Sequence, residues 1–107
     1  MSLSDETARE GLNASGGAAL IARERFRQIY GEGWDAEHDD THTNGQLALA
    51  AISYLSRWTN VGTDGTTPPA FWPFEAEAWK PTGDRVRDLT KAGALIAAEI
   101  DRIERAG

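Results

Sequence analysis

The chain of 107 residues has no cysteine and a single methionine. Disulfide staples and thiolate metal sites are therefore excluded, and the composition suits a reducing cytoplasm. Basic residues are scarce: 11 Lys and Arg stand against 17 Asp and Glu, giving a net charge of −6 and a pI near 4.8. There is no basic stripe to displace counterions from a phosphate backbone, which argues against direct binding of DNA or RNA. Long apolar runs are missing too. The longest, Leu47 to Ile52, is far short of a membrane span, and the N-terminus lacks the basic-then-apolar order of a secretion signal. No stretch alternates with period two over more than a few residues, so strands are not expected.

What is present reads as one small all-α domain with about three main helices and a modest core. Residues 1–16 mix Ser, Asp, Glu, Asn and Gly with few large apolar groups and read as a flexible arm, leaving 17–107 as the helical domain. Over Ala18 to Tyr30, Ala19, Ala22, Phe26 and Ile29 recur at helical spacing. This places Arg23, Glu24 and Arg27 toward water, and Gly31 and Gly33 stop the helix. Thr43-Asn-Gly-Gln46 has the form of a capping box and starts a second helix over about 44–58. The segment Leu47 to Ile52 is apolar all round, which predicts burial on more than one side and favours a homo-oligomer. A third helix follows Pro81, capped by Thr82 or Asp84, with Leu89, Ala92, Gly93, Ile96, Ile100 and Ile103 as its apolar stripe. Its Ala/Gly run, 92–98, invites close approach of another helix, and Asp101–Arg105 and Glu99–Arg102 are expected surface pairs.

Between the second and third helices, residues 59–83 carry no period and hold the prolines. Loops of this length need a reason. Phe71-Trp72-Pro73-Phe74 and Trp79-Lys80-Pro81 are aromatic anchors by which the segment would fold over the helices as a lid, either capping the core or forming a wall that stacks a planar ligand.

The densest chemistry lies in Glu32 to Gln46, which holds both histidines and five of the acidic residues. His38 and His42 have the spacing of a zinc-protease helix, but the turn-forming Thr41, Thr43, Asn44 and Gly45 put them ahead of a helix start. His38, Asp39, Asp40 and His42 are oxygen and imidazole ligands suited to Mg, Mn or Zn if the loop converges them. The competing reading is structural: Asp39 or Asp40 accepts backbone N–H groups at the helix entrance, and the histidines bond to the lid.

Arg23-Glu-Arg, Gln28, Glu32-Gly-Trp34, His38-Asp-Asp-Thr-His42, Gly45, Trp72-Pro73, Trp79-Lys80-Pro81, Arg87-Asp-Leu89 and Lys91-Ala-Gly-Ala-Leu-Ile96 together look like a family of small uncharacterised proteins of phages and prophages. That resemblance implies a phage-type accessory protein and no particular activity. An Arg-rich first helix, a Gly-Trp followed by His, and a helix shaped like Leu47 to Trp58 also resemble the all-α NTP pyrophosphatases. Those enzymes hold Mg on Glu-Glu-x-x-Glu and Glu-x-x-Asp motifs. This chain has no acid between Gly45 and Trp58, and only Asp88-x-x-Lys91 later.

Two functional expectations follow. The first is a non-catalytic, homo-oligomeric protein binding a small molecule or partner through Glu24, Glu32, Trp34, Trp72, Trp79, Lys80 and Lys91. The alternative is a divalent-metal-dependent nucleotide pyrophosphohydrolase, with the His/Asp loop plus Glu24 or Glu32 at the metal and Arg23, Arg27, Lys80 or Lys91 on phosphate. An enzyme needs the acids and a cation on one cavity.

Overall fold

The computed structural model describes residues 16–59 and 67–107. The expected arm therefore lies almost wholly outside the described residues, as do residues 60–66 near the start of the long loop. Among the described residues all regular structure is helical, with no strand. We number the helices α1 (Gly16–Gly31), α2 (Ala36–Asp40), α3 (Gln46–Ser56) and α4 (Arg85–Ala106), with a 3-10 turn at Ala76–Ala78.

Local chemistry sets the boundaries. At the end of α1 the Gln28 carbonyl accepts from the N–H groups of both Glu32 (3.2 Å) and Trp34 (2.9 Å), a reversal that needs the left-handed Gly33 (φ 76°). Asp35 caps α2 by accepting from the His38 N–H. Asp84 caps α4 by accepting from the N–H groups of Val86 and Arg87, which settles the choice left open between Thr82 and Asp84. The expected capping box does not form. No side chain caps α3; Gly45, left-handed at φ 79°, turns the chain straight into a helix that starts at Gln46. The Gln46 amide oxygen then reaches back to the Asn44 N–H (2.7 Å), not to Thr43.

The long helix α4 packs against α3 and α1 and also touches α2. The buried cluster is Leu47, Ala50, Ala51 and Tyr54 of α3, Ala92, Leu95 and Ala98 of α4, and Trp79 of the loop. Alanines at the α3–α4 contact let the two helices approach closely, and the loop supplies the missing bulk. Trp79 stacks on Tyr54 with ring centroids 4.8 Å apart, and Trp72 stands edge-on to both. The aromatic segment is thus the lid that its composition suggests. It also answers what covers the all-apolar stretch of α3: α4 and the lid bury Leu47, Ala50 and Ala51 within one chain, while Ile52 stays exposed.

Two helical faces differ from the periodicity reading. On α1, Phe26 is exposed and stacks on Tyr30, whereas Glu24 and Gln28 are buried beside Ala19. Hydrophobicity misplaced the face because the buried Glu24 is paired with Arg27 and Arg87 reaching in from the rim, as described below. On α4 the buried face is Asp88, Ala92, Leu95 and Ala98. Leu89, Ile96, Ile100 and Ile103 are exposed, because close helix contact selects the small residues for the interior. Glu99–Arg102 pairs as expected, but Arg105 pairs with Asp40 of α2.

Gly93 marks where α1 crosses α4: a Cβ there would lie 2.6 Å from Ile21 Cδ1. We expect Gly93→Ala to destabilise the protein by about 1 kcal/mol, since overpacking outweighs the gain in helix propensity. In an Ile21→Ala background the same change should stabilise, by up to about 1 kcal/mol. Urea unfolding of the four proteins of the cycle checks this; equal effects in both backgrounds would show that the contact does not matter.

Candidate functional site

The lid, the end of α1 and the α2 turn enclose two adjoining cavities. The larger, about 530 Å³, is lined by Trp34, His38, His42, Leu47, Pro73, Phe74, Glu75, Ala78 and Leu95. The smaller, about 160 Å³, is lined by Glu24, Arg27, Gln28, Glu32, Trp34, Tyr54, Ala78, Lys80, Lys91 and Leu95. Trp34, Ala78 and Leu95 belong to both. One compartment is aromatic and the other charged, and they meet at the Trp34 indole.

The aromatic compartment is a chain of ring contacts. Trp34 stacks on His38 (5.9 Å), His38 meets His42 edge-on (4.8 Å), and His42 meets Phe74 edge-on (5.2 Å). The Trp72 indole N–H donates to the Glu75 carbonyl at 2.9 Å, which shapes the lid that presents Phe74. His38 Nδ1 lies 2.9 Å from Asp39 Oδ1. A carboxylate only accepts, so this nitrogen carries the proton. Burial and the charge of His38 hold the His42 pKa below the ordinary imidazole value, against the pull of Asp39.

The charged compartment is built on Glu24, which is 2 % exposed. Arg27 grips it with Nε and Nη2, both at 2.9 Å, Arg87 of α4 approaches to 2.6 Å, and Gln28 donates at 3.3 Å. Burial pushes the Glu24 pKa up, but the hydrogen bonds from Arg27 and Arg87 outweigh it and leave it below the usual carboxylate value. Arg27 also reaches Glu32 at 3.0 Å. Lys91 donates to the Lys80 carbonyl (2.8 Å) and lies over the Tyr54 ring, and burial lowers its pKa. Around this cavity two carboxylates face three cationic side chains, Arg27, Lys80 and Lys91, and Glu24 is further paired by Arg87. In a chain of net charge −6 that local excess is an anion-attracting feature.

Of the residues singled out in the sequence, Glu24, Glu32, Trp34, Lys80 and Lys91 come together here. Trp79 is buried against Tyr54 and serves the core, and Trp72 stands behind Phe74. His38 and His42 share the larger cavity. The two aspartates do not join them there: Asp39 is fully buried between Arg25 (3.3 Å) and His38, and Asp40 turns outward to Arg105 (2.7 Å). Neither caps α3, whose N-cap is Gly45; both lie in α2, which Asp35 caps. Among the described residues no three His, Asp or Glu side chains are placed to hold a metal ion, so the donor set expected for Mg, Mn or Zn is not assembled. Gln28, Tyr54 and Leu95 were not among the site residues the sequence pointed to, whereas Phe74, an expected aromatic anchor of the lid, does line the larger cavity. The spacing Glu24, Gln28, Glu32, a polar line down one helical face, was the available signal.

The depressed Glu24 and Asp88 carboxyls predict an acid limb. Their stabilising contribution is complete above the unfolded carboxylate values and is lost as pH falls through the lower folded values. His42 acts in the same sense in a higher window: stability rises with pH between its depressed folded value and the unfolded 6.5. Glu24→Gln should flatten the acid limb and cost about 2 kcal/mol at pH 7, modest for a buried pair because both guanidiniums keep part of their hydration. His42→Gln should flatten only the upper window. Thermal melts across pH 3 to 8 test both; unchanged profiles would contradict the assignment.

A comparison with known protein families, curated proteins and solved structures finds no match for the chain.

Proposed function

We propose that this is a small-molecule-binding accessory protein of the phage type, whose ligand joins a planar ring to an anionic group, as nucleotides do. The supporting observation is the shared wall: one indole, Trp34, borders both an aromatic cavity and a cavity with excess positive charge. The ring would stack among Trp34, His38, His42 and Phe74, and the anion would meet Lys80 and Lys91. Binding is the leading reading because Glu24 and Glu32 are engaged by arginine, which positions cations and leaves neither acid as an unpaired base.

In this proposal the protein acts in the cytoplasm and self-associates. Support for self-association lies in the exposed Val86, Leu89, Ile96, Ile100 and Ile103 of α4, which recur at helical spacing on either side of the α1 crossing at Gly93. Ile100→Lys should then shift the mass in light scattering from oligomer to monomer without loss of helicity. A wild-type monomer over a wide concentration range would refute it.

The second reading, a nucleotide pyrophosphohydrolase, is favoured by one observation: Glu24 and Glu32 do converge with cations on one cavity. Incubation with the four nucleoside triphosphates and Mn, with assay for pyrophosphate, decides between the readings; release that is lost in Glu32→Gln would establish the enzyme.

For binding, titration calorimetry with the four ribonucleoside 5′-monophosphates is the direct test. Trp34→Leu should weaken the tightest of them by about 5- to 150-fold, the loss expected for one stacking platform. Lys91→Met should weaken it by about tenfold while leaving the parent nucleoside unaffected. Absence of heat with all four at millimolar concentration would sink the proposal.

A further inference from the structure

Gln28 is 2 % exposed and lines the charged cavity, yet only half of its amide is used. Nε2 donates to Glu24 Oε2 at 3.3 Å. That contact fixes the orientation, because the reversed amide would set its oxygen against a carboxylate. Oε1 is left buried with no hydrogen-bond partner. An unsatisfied buried acceptor is a cost the fold carries for a reason. No neighbouring donor reaches it: Arg27 holds Glu24 and Glu32, Lys91 holds the Lys80 carbonyl, and neither is within hydrogen-bond distance of Oε1. Glu24 and Glu32, as carboxylates, have no proton to give.

We propose that Gln28 Oε1 accepts a hydrogen bond from a sugar hydroxyl of a nucleoside phosphate lying across both cavities, and so selects hydroxyl-bearing ligands. This rests on the nucleotide-type reading above and adds the middle of the ligand to it. The order of groups matches the order of the walls. A base takes the 530 Å³ aromatic compartment, while sugar and phosphate take the 160 Å³ charged one. A neutral acceptor beside surplus cations suits a molecule that carries a donor next to its negative charge. A phosphate group alone fits less well, being mostly without a proton at pH 7. A free base supplies no anion.

Calorimetric titration of the full chain with the four ribonucleoside 5′-monophosphates and their 2′,3′-dideoxy counterparts tests the proposal. The tightest ribonucleotide should bind the wild type about tenfold better than its dideoxy form, the worth of one hydrogen bond to a buried acceptor. Gln28→Leu should bind both forms equally, at the affinity the wild type shows for the dideoxy form. A wild type that binds a nucleotide without regard to its hydroxyls overturns the role of Gln28 and leaves the binding reading standing, with no variant needed. Discrimination that survives Gln28→Leu overturns it likewise. If no nucleotide binds the wild type at all, the binding reading falls and this inference falls with it.

Discussion

Three buried carboxylates, each held by cationic or N–H donors, tie this small fold together. Glu24 joins α1 to α4 through Arg27 and Arg87. Asp39 joins α2 to α1 through Arg25. Asp88 gathers the Thr82 N–H and hydroxyl, the Trp58 indole and Arg57, linking the start of α4 to the loop and to the end of α3. Burial raises the pKa of Asp88, and these donors more than reverse it. A carboxylate left unpaired inside would be strongly destabilising, so each site admits only arrangements that bring its partners with it. This constraint fixes how the helices cross, where an alanine-rich core alone would leave several packings close in energy.

The same device positions the candidate site. Because the buried Glu24 and Gln28 face inward with Arg27 and Arg87 at their edge, α1 turns a polar line toward α4, and the space between cannot close as a dry core. The lid then covers this space from the other side. Trp79 anchors it on Tyr54, and the Tyr54 hydroxyl accepts from the Lys80 N–H at 3.3 Å. That contact holds the Lys80 carbonyl where Lys91 donates to it. Core packing and cation placement are therefore one arrangement, so a change at Tyr54 would disturb both.

The helical character, the lid and the helix stops were legible in the sequence because they rest on local chemistry. Gly33 reverses the end of α1, Asp84 caps α4, and the Trp residues of a Pro-rich segment have to find apolar cover. The rotation of α1 and α4 about their axes was not legible. Periodicity assigns the largest apolar residues to the interior, and on both helices that rule misplaced the largest of them, although Ala19 and Ala92 of the expected stripes are buried. Phe26, Ile100 and Ile103 lie outside, while Glu24, Gln28, Asp88 and several alanines lie inside. A count of hydrophobic residues does not register that a carboxylate buried with its own arginines is tolerated, nor that close helix contact favours the smallest side chains.

By itself the sequence determined that the described chain is helical, that Gly and Asp residues bound its helices, and that Glu24, Glu32, Trp34, Lys80 and Lys91 were residues to watch, since each of these follows from side-chain type and near neighbours. Only the tertiary structure decided that those five share one cavity, that Asp39 and Asp40 face opposite ways to different arginines, and that the Gln28 amide oxygen is buried without a partner. These depend on which residues distant in the chain meet across α1, α4 and the lid, and pairings of that kind are set by packing and by the need to compensate buried charge.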